Sequence, residues 1–578
     1  MLDRETIIES CISLISMTES VQRIDSAPVP SCHTYCCWIK IITEIEIRDM
    51  ATSIELFMAF PYPIPFQLPD IYFVNTEYDP IPHIGYDDRK LCLFEDGTSF
   101  SPNDYPAISL ECLRKAKKLL SLGANRQNAN EYRTEIVSYW RYSYNNEEPV
   151  EQGWLFHGSL PDNTQTLVLF SLQPEKTGGL GVTRAIAISE KEYNCGSLFI
   201  DFLRRNYKIT EYPALYVSHY SPPSTPPYST TFNQFLACVS DINDFKAIRR
   251  HLNKHCGGIF LFPLGPTGQF GSVWVGSVPQ RAKGWRNGMK TAFDVMCRFE
   301  RRNLLLYRSM GKVLSVNRIA ERTKGELMTE MRLLVAGLGS IGSNLCHFLS
   351  GHNNAFFTLI DSDSLSVDNL GRHLLGFNYL GRNKAEAISD HLHGINPDLQ
   401  VSVVDNDSVE AYIEHDTTRV NNHDAVFICT GDPMSELFCI QKVIDDAITV
   451  PLFILWLEPY AVAGHLLYIN PSDAKKLGHL FDEQGIYVHS FIDQQEFHKR
   501  PELFTKREAG CNGSYNQYSG NDVLLFLSAM YPHILSLLDN PSNSTAYRWL
   551  GKNDSIKNLG IMTITTPQAV WETIQIPL

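Results

Sequence analysis

Between Gly337 and Lys384 the chain sets out a glycine-rich turn, two acids, an amide, an arginine and a lysine, in that order. The turn is Gly337-Leu338-Gly339-Ser340-Ile341-Gly342; the acids are Asp361 and Asp363, and Asn369, Arg372 and Lys384 follow. Glycines at this spacing let the backbone turn tightly and approach a phosphate, whose charge the free N–H groups of a helix N-terminus can meet. Asp361 lies about 20 residues past the last glycine, the spacing from which a carboxylate hydrogen-bonds a ribose hydroxyl. Two carboxylates can hold a ribose and a hydrated Mg²⁺, while an arginine and a lysine neutralise a triphosphate. Hydride transfer needs no such cluster, whereas nucleotidyl transfer to a carboxylate does. Asp432 follows the apolar run Ala425 to Cys429 and adds a carboxylate where open α/β sheets bind ligands. Cys92, after a charged turn, and Cys511, between Gly510 and Asn512-Gly513, are thiols in loop-like surroundings suited to covalent acyl transfer.

The ordered set from Gly337 to Asp432 resembles the ubiquitin-activating (E1, ThiF/MoeB-like) adenylation domain, from about Leu327 to the C-terminus. The resemblance implies ATP and Mg²⁺ as ligands. By it, Asp361 holds the ribose, Arg372 and Lys384 hold phosphates, and Gly337, Gly339, Gly342, Asp363 and Asn369 surround the nucleotide. Asp432 organises Mg²⁺ and, with Arg372, belongs to the catalytic set. The chain departs from that family by inserting Gly431 before Asp432. Cys511 to Asp522 is similar to the cysteine loop of bacterial E1-like proteins, ending in Tyr518-Ser519-Gly520-Asn521-Asp522, which implies Cys511 as a thioester-forming cysteine.

The N-terminal region resembles the ubiquitin-conjugating (E2) fold through Phe60-Pro61-Tyr62-Pro63, Pro69, Ile71, and Pro82-His83 ahead of Leu91-Cys92-Leu93. That likeness implies Cys92 as the conjugating cysteine. Where that family has His-Pro-Asn, this chain has Ile81-Pro82-His83, so the asparagine amide that steadies an oxyanion is missing from the motif. Whether His83 replaces it is left open by the sequence.

These residues need elements to position them. With 578 residues the chain exceeds one hydrophobic core and is expected to form several domains. The fold class expected is α/β and α+β multidomain: an E2-like α+β domain over 1–124, an α/β linking domain over 125–326, and a Rossmann-like adenylation domain over 327–578. Leu333 to Ala336 and Phe356 to Ile360 read as buried strands flanking the glycine turn. Residues 3 to 17 carry Ile7, Ile8, Cys11, Ile12 and Ile15 at helical spacing. Residues 131 to 144 read as an amphipathic, aromatic-rich connector. Trp285 to Arg302 reads as a basic helix, and the resemblance to the E1-like family implies Arg308 or Arg318 as a candidate to reach a triphosphate across a dimer interface.

A formal net charge of -14 argues against nucleic acid or an anionic membrane as the main partner. No apolar run is expected to reach transmembrane length, the N-terminus lacks a basic signal-peptide start, and a cytoplasmic setting is the expectation. The 14 cysteines include no Cys-x-x-Cys pair, so no zinc is predicted.

An E2-like region followed by an E1-like one is similar to the CD-NTase-associated E1–E2 fusions of bacterial CBASS anti-phage operons. That resemblance implies an antiviral protein ligase that adenylates a protein C-terminus and passes it from Cys511 to Cys92 and on to a lysine. It further implies a cGAS-like CD-NTase as cargo, and a homodimer. Two other classes stay open: an activating enzyme for a separate ubiquitin-like or sulfur-carrier protein, and a non-enzymatic nucleotide-binding scaffold.

Overall fold

The computed structural model describes residues 3–28, 35–85, 88–95, 97–140, 152–174, 184–195, 197–226, 228, 231–265, 269–275, 291–298, 307–323, 325, 329–351, 354–404, 407–482, 486–504, 506–507, 514–515, 517–564, 568–576 and 578. The chain divides into two compact units, Met1–Lys191 with Ile209–Val313, and Glu192–Lys208 with Leu314–Leu578. The N-terminal and linking segments fall in the first unit, and Glu192–Lys208 falls in the second.

The first unit begins with helix Arg4–Ile15, whose N-cap Asp3 accepts the Thr6 N–H. Ile7, Ile8, Cys11 and Ile15 form its buried stripe, at the helical spacing expected. Strands Ser20–Ile24, Tyr35–Ile47, Met50–Pro61 and Asp70–Tyr72 then pair in chain order as an antiparallel meander. In Tyr35–Ile47, Ile41, Ile45 and Ile47 are buried while Glu44 and Glu46 are exposed, the alternation of a sheet with one wet face. Helix Tyr105–Ala124 lays Cys112, Leu113, Ala116 and Leu120 on the same core.

Beyond it the expected α/β linking domain is instead a closed barrel of seven strands. Strand Gly258–Pro263 carries the reason. Ile259 and Leu261 cluster with Leu167, Leu169 and Phe270. Phe260 and Phe262 cluster instead with residues of helices Phe232–Ala237, Ile242–His255 and Ala292–Arg298. Strands apolar on both faces lack the alternation that would separate a barrel from a parallel layer. The 131 to 144 connector forms two short helices, Glu131–Thr134 and Ile136–Trp140, with residues 141–144 outside those described. Trp140 is fully buried against Tyr228 and Phe262, and its indole N–H donates to the Ser309 carbonyl (3.0 Å). Arg308 is buried over the same indole, 5.5 Å from the ring. Of the expected basic helix Trp285 to Arg302, the described part is Ala292–Arg298.

The second unit is built on eight strands in the spatial order Gln400–Val404, Ala355–Ile360, Met331–Ala336, Ala425–Ile428, Leu452–Leu457, Ala463–Ile469, Thr545–Leu550, Thr573–Ile576. The first five run parallel and the last three alternate. Successive strands are added to one side of Met331–Ala336 and then to the other, making it the switch point where such sheets bind ligands. Leu333 and Val335 face helices Ser340–Leu349, Lys384–Ile395 and Gly520–Asp539, while Leu334 and Ala336 face helix Pro433–Ile444 on the other side. Each fully buried Leu or Val of this strand contributes roughly 1.5–3 kcal/mol relative to exposure.

Helix Gly520–Asp539 is long and apolar enough by composition to cross a membrane, contrary to the expectation that no run reaches that length. Its apolarity has a local cause: Val523, Phe526, Leu527, Met530 and Ile534 are buried on the sheet. Phe526 sits where a Cβ on Gly464 would come within 2.3 Å of its ring.

Candidate functional sites: a switch-point crevice and a thiol cleft

At the switch point the three glycines do different work. Gly337 has φ +83°, and a Cβ on it would lie 2.6 Å from backbone atoms of Cys429 and Thr430 at the end of the neighbouring strand. A Cβ on Gly342 would lie 1.9 Å from the Gly337 carbonyl oxygen. Both are therefore required by the fold itself. Gly339 meets nothing within 4 Å, so its surface is open. It is the N-cap of helix Ser340–Leu349, and no side chain caps that N-terminus. An uncapped helix start beside an open glycine suits a phosphate on charge and on space.

Leu338, between the glycines, is held from both sides. Its N–H donates to Asp361 Oδ2 (2.7 Å), and its carbonyl accepts from His373 Nε2 (2.9 Å). His373 Nδ1 accepts the Leu375 N–H (3.0 Å), which assigns the ring proton to Nε2. Burial pushes the His373 imidazole down to about 4, so it is neutral near pH 7. Asp361 Oδ1 also accepts the Asp363 N–H (2.9 Å). Burial raises the Asp361 carboxyl above its ordinary range, against the opposing pull of Lys384. Lys384 opens helix Lys384–Ile395, is itself buried, and sets its Nζ 2.8 Å from Asp363 Oδ2 and 3.8 Å from Asp361 Oδ1. Asp363 is largely exposed. The structure thus gathers Asp361, Asp363, Lys384 and the glycine turn into one charged cradle.

The remaining candidates stand nearby in the fold with partners of their own. Asn369 Oδ1 accepts from the Ser366 N–H and hydroxyl, closing a small capping box. The Arg372 guanidinium lies 5.3 Å over the Tyr518 ring, whose hydroxyl is 2.8 Å from the Ser340 hydroxyl. The Gly520 N–H donates to the Gly371 carbonyl (2.9 Å), tying the start of helix Gly520–Asp539 to the Arg372 turn. Asp432 is exposed and caps helix Pro433–Ile444, accepting from Met434 N, Ser435 N and the Ser435 hydroxyl. Its oxygens are hard donors of the kind Mg²⁺ takes and keep lone pairs beyond those bonds. Beneath it Glu436 is buried, and burial, then the Asp432 charge, pushes its carboxyl up to about 8. Arg318 is half-buried on helix Val316–Thr323. Cys511 lies outside the described residues.

In the first unit, Cys92 is exposed and lines an open cleft of about 840 Å³. A short hairpin positions it: Ile84 bridges Leu91, Gly85 N–H donates to the Lys90 carbonyl, and Cys92 N–H donates to the His83 carbonyl (2.8 Å). That register sets His83 and Cys92 opposite each other, both lining the cleft. His83 has φ +62°, a conformation uncommon outside glycine, and its N–H donates to the Tyr139 hydroxyl oxygen (2.7 Å). Glu131 Oε2 is 3.2 Å from His83 Nε2, and Glu135 Oε2 is 3.5 Å from Nδ1. Cys92, and next the two glutamates, raise the imidazole above its ordinary value against the opposing effect of burial. Sequence reasoning missed Glu131, Glu135 and Tyr139, which lie in the segment read as a connector. It also missed His373, whose one signal was its place after Arg372.

Residues 314–495 match the ThiF family model, beginning where the second unit's main segment begins. The chain is 33% identical over 115 residues to the ATP-dependent ubiquitin transferase-like protein Cap2 of Enterobacter hormaechei, a match covering 19% of each protein. It is 33% identical over 110 residues to the molybdopterin-synthase adenylyltransferase of Salmonella typhimurium, covering 18% of this chain and 42% of that one. Among solved structures, E. coli MccB with MccA-N7isoASN superposes over 38% of this chain and 61% of that one, at 14% identity and a TM-score of 0.30. The chain thus spans well under half the length of these curated relatives. It carries a ThiF domain in its C-terminal part, of mixed α/β class, and its relatives include an adenylyltransferase.

Proposed function

We propose that this chain is an ATP-dependent protein-conjugating enzyme working in the cytoplasm, with an activating crevice around Gly339 and a conjugating thiol at Cys92. The observation that carries the reading is the open Gly339 surface at an uncapped helix start, with buried Lys384 and its two carboxylates beside it. ATP lies with its phosphates on that helix start, met by Lys384 and by Arg372 once it leaves the Tyr518 ring. Asp361 and Asp363 face the ribose, with Asn369 at the rim. Asp432 would hold Mg²⁺, which when bound would supply positive charge to screen the phosphates. A protein C-terminal carboxylate attacks the α-phosphorus, the bond to pyrophosphate breaks, and an acyl-adenylate remains.

Cys511 then displaces AMP to form a thioester, which keeps the activation in a covalent bond. Exchange to Cys92 and attack by a lysine amine give an isopeptide. The region through Ala124 has the order expected of an E2-like domain: helix, antiparallel meander, Pro-rich corner, cysteine loop, helix. The cargo proposed is the C-terminus of a cGAS-like CD-NTase in CBASS antiviral defence, and the assembly a homodimer to which Arg318 adds a charge.

The test is incubation with ATP, Mg²⁺ and a cGAS-like nucleotidyltransferase, resolved on a non-reducing gel. A thiol-sensitive adduct is expected; Cys511→Ala stops at the adenylate, Cys92→Ala accumulates cargo on Cys511, and Asp432→Ala blocks both. Wild-type behaviour in all three variants overturns the reading.

A further inference from the structure

The cleft at Cys92 holds more than a thiol. We propose that His83 is the proton carrier of the Cys92 site, taking a proton from each attacking nucleophile and returning it to each leaving sulfur, while Glu131 and Glu135 position its ring. The inference rests on the reading of Cys92 as a conjugating thiol and names the residue that does its acid–base work. Three observations carry it. The hairpin register sets His83 directly opposite Cys92, and both line the same open cleft. Carboxylates stand 3.2 and 3.5 Å from its two nitrogens, where they stabilise an imidazolium as it forms. The His83 backbone is held in the left-handed region by the Tyr139 hydroxyl, from the same segment that carries both glutamates. Asn128 braces that segment, donating to Glu131 Oε2 (2.9 Å).

The protons balance in both half-reactions. In charging, the Cys92 sulfur attacks the carbonyl carbon of an incoming thioester and its S–H proton passes to His83. The bond from that carbon to the outgoing sulfur breaks, and His83 returns the proton to the departing thiolate. In discharge, a neutral amine attacks the Cys92 thioester and its N–H proton passes to His83. The carbon–sulfur bond breaks with its electron pair on Cys92, which takes the proton back. One thioester and one amine become one amide and one thiol, and His83 ends as it began.

Among the described residues, the charged groups around His83 are Glu131 and Glu135 from the helical segment, with Asp70, Asp88, Lys90 and Glu95 lining the cleft. The two glutamates raise the imidazole, so replacing them by glutamine moves its titration to lower pH.

The experiment uses the full chain with Cys195→Ser and Cys511→Ser and no nucleotide. Cys92 is charged with the 2-mercaptoethanesulfonate thioester of acetylglycine, then discharged with Nα-acetyl-lysine amide, both followed by intact mass and peptide mapping. General-base assistance contributes about 10²–10⁴-fold, so His83→Gln is expected to slow discharge about 100-fold or more and to remove an inflection in the imidazole range. Glu131→Gln with Glu135→Gln keeps the inflection and shifts it to lower pH. An unchanged rate and profile in His83→Gln, or an unshifted inflection in the double variant, overturns the proposal. Because no ATP enters the assay, such a failure leaves the adenylation reading standing. Loss of ATP-dependent thioester in the earlier test would leave this result standing in turn.

Discussion

The glycine turn offers a perturbation with opposite expectations three residues apart. Gly342→Ala places a methyl 1.9 Å from the Gly337 carbonyl oxygen and 3.0 Å from its carbon, both backbone atoms with little freedom to yield. Relief to an ordinary contact of 3.4 Å or more needs the helix start to shift by over an ångström. Overpacking of that kind costs typically 1–3 kcal/mol, and the gain of about 1 kcal/mol from replacing glycine by alanine within a helix offsets only part of it. Gly339→Ala meets open space at a negative φ, so its cost to folding is expected within about 0.5 kcal/mol. Its methyl, however, stands where the proposed nucleotide site brings a phosphate to the helix start. Thermal unfolding by circular dichroism, with and without ATP and Mg²⁺, reads both effects. The expected pattern is a lowered melting temperature for Gly342→Ala. For Gly339→Ala it is a wild-type melting temperature in buffer and loss of the ATP-induced rise. A Gly339→Ala protein that keeps the full nucleotide shift, or that melts well below wild type in buffer, refutes the reasoning.

His373 is neutral in the fold, its imidazole pushed from 6.5 down to about 4, so stability is lost as pH falls from about 6.5 to about 4. The shift is worth about 3 kcal/mol at 1.36 kcal/mol per unit. His373→Gln should flatten that stretch of a melting temperature against pH curve. Glu436 runs the other way: its carboxyl, pushed from 4.5 up to about 8, favours folding at low pH and loses that contribution as pH rises to about 8. Glu436→Gln should therefore be more stable than wild type at pH 8, by up to roughly 5 kcal/mol, and show no such gain at pH 4.5. Trp140→Ala, which empties a fully buried site against Tyr228 and Phe262, should destabilise the first unit by about 3–5 kcal/mol in urea unfolding.

Local signals made the crevice readable from sequence. A glycine turn between two apolar runs, followed by acids at fixed spacing, specifies a strand, a helix start and a second strand without reference to distant residues. Asp361, Asp363 and Lys384 meet because those elements are adjacent in both chain and space. His373 escaped because a lone histidine in a loop has no period; only the fold reveals that it clamps Leu338. Glu131 and Glu135 escaped for a related reason, since their partner His83 is about fifty residues away and reaches them through a strained hairpin. The barrel was misread because doubly buried strands look alike in either architecture.

The claim beneath the whole account is that a carboxylate attacks the α-phosphorus of ATP in the Gly339 crevice. A cGAS-like nucleotidyltransferase whose C-terminal carboxylate carries ¹⁸O, incubated with the chain, ATP and Mg²⁺, tests it at the bond itself. The account predicts pyrophosphate and AMP bearing one ¹⁸O atom, in step with a thiol-sensitive adduct, and loss of all three in Gly339→Ala. Unlabelled AMP, or ADP with phosphate in its place, would contradict it.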